Sequence, residues 1–156
     1  MNIDMHAHYV PPKVLSILEH DPSPYGAKLL EAAGGGQCVQ FTYGLTIRPF
    51  FPEILDLEQR WQVMGQQGVD RQILSVWTDL SGYGLPLEAA ARWHRLLNEV
   101  MCEEARQHSQ RLSALASVPL QDARLAAREL EYGVRQCGAV GGVVAANVEG
   151  NNLGEV

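Results

Sequence analysis

Short apolar runs, separated by helical stretches too long for tight turns, limit this chain to few architectures. Asn2 to His8 alternates Ile3, Met5 and Ala7 with Asp4, His6 and His8, the period of two of a strand. Gln72 to Trp77, Leu112 to Val118 and Val140 to Asn147 are further apolar runs of strand length. A helix is predicted from Asp56, which can cap it with Gln59 at the third helical position; Leu57, Trp61 and Met64 share a face, and Gly65 and Gly68 end it. Leu87, Ala90, Ala91, His94, Leu97, Met101 and Ala105 keep helical spacing to about His108, and Asp122 caps a last helix facing inward with Leu125, Leu130 and Val134 and stopping at Gly138. Strands joined by such connections run parallel, so the fold class is α/β with about four parallel strands.

Residues 12–55 read as an excursion from that scaffold: a short helix over Lys13–His20, a turn over Asp21–Pro24 and a flexible loop at Gly34–Gly36. Glu149–Val156 reads as polar loop, and the whole chain, 1–156, as one domain. With 12 Lys+Arg against 18 Asp+Glu the net charge is −6, spread without runs, so no nucleic-acid partner is expected. No apolar run reaches membrane-spanning length and the opening Met1-Asn2-Ile3-Asp4 is no signal peptide, so neither a membrane partner nor export is expected and the predicted compartment is the cytoplasm. Cys38, Cys102 and Cys137 lie far apart without Cys-x-x-Cys spacing and read as reduced, mostly buried thiols.

The sharpest chemical feature is His6-Ala7-His8. Residues two apart on a strand share a face, so both imidazoles, with Asp4, are expected to project together and to offer two metal ligands from a rigid element. The competing reading is a pair of solvated histidines. Arg48 is a candidate substrate-binding residue because a guanidinium pairs with a carboxylate through two hydrogen bonds; the alternative is a surface arginine paired with a nearby Asp or Glu. Trp77, just after the second main strand, is a candidate substrate-lining residue or a cap on the core, and Tyr9 a candidate pocket wall. His94 and His108 fall on the long helix and read as packing or surface residues, as does His20 in the excursion. The three glycines lack the Lys-Ser/Thr of a phosphate loop, and no Ser-His-Asp or Cys-His arrangement is identifiable.

Asp4-Met5-His6-Ala7-His8-Tyr9-Val10-Pro11-Pro12 resembles the opening of the metal-dependent amidohydrolase superfamily, in the branch typified by aminocarboxymuconate semialdehyde decarboxylase. Ile47-Arg48-Pro49-Phe50 with Arg60, Met64 to Asp70, Asn98-Glu99 through Leu112, Val118 to Asp122, and Gly141 to Val144 resemble further segments of that branch. The resemblance implies the N-terminal half of a (β/α)8 barrel and a divalent metal, usually zinc (Zn2+), on His6 and His8. It also implies a metal-activated water, Arg48 on the carboxylate of a small-molecule substrate, and decarboxylation or hydrolysis as the reaction. The family's third histidine ligand, its acid/base histidine and its late aspartate have no counterpart here, since no histidine follows His108, so those residues are expected beyond Val156. Two histidines alone make an open, weak site, and the chain by itself is expected to be inactive. The reading of another class is a non-catalytic truncated half-barrel that binds or dimerises through its open edge, a possible homo-oligomer; a metal-dependent nuclease fits the charge poorly.

Overall fold

The computed structural model of the protein describes residues 1–148 and 150–154. The alternating opening forms β1 (Ile3–Tyr9), followed by α1 (Pro12–His20). The excursion is more ordered than its glycines suggest: β2 (Ala27–Glu31) and β3 (Gln37–Phe41) form an antiparallel hairpin. The glycine run is its turn, with Gly35 at φ 90° and Gly36 at φ 82°, backbone that a side chain would strain. The hairpin is held because Val39 and Phe41 are buried in the main core.

After the short α2 (Pro52–Leu55), Asp56 caps α3 (Leu57–Gln67) as expected, its carboxylate accepting the N–H groups of Glu58 and Gln59; Gly68 ends the helix at φ 66°. β4 (Arg71–Val76) then pairs parallel with β1. The longest helix, α4 (Leu87–Gln107), buries Ala90, Trp93, His94, Leu97 and Met101 against the strands and the hairpin. Trp93 is fixed there by its indole N–H, which donates to the Leu80 carbonyl at 2.7 Å, and by Phe41 edge-on at 5.8 Å.

The third strand is not the unbroken Leu112–Val118 that its apolar run predicts. It divides at Leu115 into β5 (Leu112–Ala114), which pairs parallel with β4, and β6 (Ala116–Ser117), which pairs parallel with β7 (Gly142–Val143). The division marks a change of partner: Leu115 N–H donates to the Leu74 carbonyl, while Ala116 N–H donates to that of Gly141. The fourth strand is likewise shorter than Val140–Asn147, because its ladder extends only where β6 faces it. Asn147, the last residue of the predicted fourth strand, instead opens β8 (Asn147–Val148), which pairs antiparallel with β9 (Asn151–Asn152), and β9 lies inside the stretch read as loop. Glu149, Glu155 and Val156 of that stretch lie outside the described residues.

Between β6 and β7, α5 (Ala123–Tyr132) is capped by Asp122 and runs into a wide turn over Gly133–Cys137 that Gly138 closes at φ 85°. Two glycines let it sit close to the strands. A Cβ at Gly133 would lie 2.6 Å from the Ala116 Cβ, and one at Gly142 would lie 2.7 Å from a Leu130 methyl. Arg95 and the buried Glu129 tie α4 to α5 through two hydrogen bonds of 2.9 and 2.7 Å, with Arg95 stacked on Tyr132. The result is an α/β fold whose main strands, in the order β1, β4, β5/β6 and β7, are all parallel. No helix among the described residues is long and apolar enough to cross a membrane.

Candidate metal centre

The β1 histidines do converge. His6 Nε2 and His8 Nε2 are 3.2 Å apart, with ring centroids at 4.7 Å and planes at 78°. Two imidazole nitrogens on a tetrahedral metal at about 2.0–2.1 Å would stand about 3.3 Å apart, so the pair has the bite of a metal chelate. His8 is oriented from behind: its Nδ1 lies 3.2 Å from the Val76 carbonyl and 3.2 Å from Ser75 Oγ. With Nδ1–H directed at the carbonyl, Nε2 keeps its lone pair for a ligand. Burial lowers the His8 pKa, His6 lowers it further, and the Val76 carbonyl opposes both; the net lowering favours the neutral ring that ligation requires.

Asp4 lines the same groove as His6 and His8, as expected, although not by strict alternation along the strand. The β1–β4 register shifts between Asp4 and Ala7, and the Asp4 carboxylate turns to two local donors: His6 N–H at 3.0 Å and Gln72 Nε2 at 2.9 Å. Among the described residues no group of three His, Cys, Asp or Glu side chains could hold a metal, so these elements supply two ligands.

Trp77 reaches the same place. Buried between Phe50 and Phe51, it lines with His6, His8, Phe51, Arg60 and Gln72 a groove of about 370 Å³. Arg48 stays exposed and does not line the groove. Its guanidinium lies 4.8 Å over the Trp77 ring and its Nε pairs with Asp79 at 3.0 Å, the surface ion pair that was its alternative reading. Tyr9 is no pocket wall to the histidines: following His8 in an extended strand it turns to the opposite face, where it is buried under the helices. His94 is fully buried on α4, and His108 sits beside Trp61 and Glu104. The residues to which sequence reasoning gave no role beside the histidines are Ser75, Gln72 and Arg60, the last quoted only within the family resemblance. The one signal they give is polarity, Ser75 and Gln72 being polar positions inside an otherwise apolar strand run.

No family model matches the chain. Among curated proteins it is 25% identical over 154 residues to 2-amino-3-carboxymuconate-6-semialdehyde decarboxylase of Dictyostelium discoideum, covering 98% of this chain and 42% of that protein. It is 32% identical over 92 residues to gamma-resorcylate decarboxylase of a Polaromonas species, covering 58% and 28%. Among solved structures it matches a dihydroxybenzoic acid decarboxylase of Polaromonas sp. with bound manganese and the inhibitor 2-nitroresorcinol, with a TM-score of 0.63, 23% identity and coverage of 94% and 39%. The chain therefore spans less than half the length of these relatives, and the metal in that neighbour is manganese, where the sequence resemblance had pointed to zinc. The proteins this chain is related to are decarboxylases of the amidohydrolase superfamily.

Proposed function

We propose that these residues form the first four strands of a (β/α)8 barrel in a metal-dependent decarboxylase or hydrolase of a small carboxylate, with His6 and His8 as two of its metal ligands. The observation that carries the reading is the 3.2 Å approach of the two Nε2 atoms with His8 Nδ1 anchored behind. Both donors are imidazoles, which suit zinc and other late first-row ions; the manganese of the neighbour widens the choice, and zinc is our proposal for this chain. A divalent ion held there supplies Lewis-acid activation of water or of a substrate oxygen.

The chain's own side chains would bind and orient the substrate. Trp77 and Phe51, edge to face at 5.6 Å, give the groove an aromatic wall suited to a planar unsaturated acid. Arg48, whose terminal amino groups make no hydrogen bond among the described residues, would turn its fork from Asp79 to the substrate carboxylate. The third ligand and the proton-transfer group are proposed to come from residues outside this sequence, in keeping with the share of its relatives that the chain spans.

Metal analysis tests this. Protein equilibrated with Zn2+ or Mn2+ and then desalted is expected to retain metal, and the His6→Ala/His8→Ala double variant to lose it; equal metal in both ends the assignment.

A further inference from the structure

Arg60, on α3, faces the histidine strand. Its Nη2 donates to the His8 carbonyl at 2.6 Å and to the Glu53 carbonyl at 3.2 Å, and its Nη1 donates to Gln72 Oε1 at 3.0 Å. Gln72, nearly buried on β4, passes the contact on: its Nε2 donates to one oxygen of Asp4 at 2.9 Å, and the other oxygen accepts the His6 N–H at 3.0 Å. One guanidinium is thus joined to both ends of His6-Ala7-His8, directly at His8 and through Gln72 and Asp4 at His6.

The strand ladder does not do this alone. Asp4 pairs with Gln72 and Ala7 with Leu74, so Met5 and His6 together oppose the single Ile73 and His6 has no register partner. A bulge re-aims a side chain but leaves it to other contacts to fix where it points. We infer that Arg60 is the positioning residue of the histidine pair, its fork holding the bulged backbone so that the two Nε2 atoms stay at chelating distance. The fork is essential, because an ammonium is a point donor that cannot meet the His8 carbonyl and the Gln72 oxygen in one fixed plane. Packing of the guanidinium 5.4 Å over the Tyr9 ring holds that plane in place.

The inference rests on the metal reading of the pair, and its test separates the two. The variants are Arg60→Lys, Gln72→Met, which cuts only the Asp4 arm, and Arg71→Lys as a control. Arg71 makes a similar clasp on Ser109, Leu112 and Ser113 without touching either histidine. In metal-free protein, NMR of the imidazole rings reads the His8 tautomer and the contact between the His6 and His8 rings. Zn2+ affinity is read by competition with a chromophoric chelator.

Arg60→Lys is expected to lose the ring contact and to weaken Zn2+ binding roughly 10- to 100-fold, the usual loss when an outer contact of a ligand is cut. Gln72→Met should lose less, and Arg71→Lys should keep both wild-type values even where its melting point falls. Retention of the ring contact and of Zn2+ affinity in Arg60→Lys, or an equal loss in Arg71→Lys, would overturn the inference. A wild-type protein that takes no Zn2+ refutes the metal reading, while the metal-free ring contact still decides the role of Arg60.

Discussion

A histidine with no exposed surface must fold uncharged, and His94 is such a residue. Its Nδ1 lies 2.8 Å from Ser117 Oγ, and Asn98 holds the Ser117 backbone from both sides, giving to its carbonyl at 2.9 Å and accepting from its N–H at 2.7 Å. Burial lowers the His94 pKa to about 3 against a weak opposing pull from the Ser81 carbonyl, while Nε2 makes no hydrogen bond among the described residues. The unfolded chain takes up this proton near the ordinary value of about 6.5. The native state does not until far lower pH, so stability is complete above that value and falls as the pH drops toward 3. The slope is up to about 1.4 kcal/mol per pH unit, with His8 adding in the same direction. Urea unfolding at several pH values between about 7 and 5 should show this decline, and His94→Gln should flatten it. At this scale the sequence was informative where chemistry is periodic: alternation on one strand brings His6 and His8 together, and the apolar helical face places His94 in the core. Arg60 was not legible as a support, because its partners, Gln72 and the His8 carbonyl, become neighbours only when α3 packs beside β1.

Among the elements, the positions of the helices were read more closely than the strands, since a helix closes its hydrogen bonds on itself and a strand depends on its partners, although Leu130 and Val134, expected to face inward with the buried Leu125, are exposed. Asp56 illustrates the first case, a cap visible in sequence and formed in the structure. Asp56→Ala is expected to cost about 1 kcal/mol in denaturant unfolding without altering the circular dichroism of the native state. The hairpin of β2 and β3 and the division of β5 from β6 illustrate the second, because no local pattern says which strand Leu115 or Ala116 will meet. The approach of α5 to the strands was equally hidden, resting on Gly133 against Ala116. Gly133→Ala keeps an allowed helical backbone at φ −56° yet forces two methyl carbons together. It should therefore destabilise by about 1–3 kcal/mol, and Ala116→Gly placed in the same chain should restore part of the loss.

For the molecule as a whole, β1 and β7 are the two ends of the parallel ladder, and near β7 the side chains of Val140 and Val144 are more than half exposed. Apolar side chains beside a strand edge favour association. Sedimentation of the chain alone is expected to show an average mass that rises with concentration, and Val140→Lys/Val144→Lys to suppress the rise. The pairing of β1 with β4 also sets an order of events in time. His8 meets the carbonyl that orients it 68 residues along the chain, and Gln72 meets Asp4 across the same separation. A contact across that separation carries a loop-closure cost that local contacts do not, and on that ground the geometry of the histidine pair is expected to form late in folding. A metal on the proposed pair would therefore act as a latch, lengthening the lifetime of the native state while leaving the rate of its formation almost untouched.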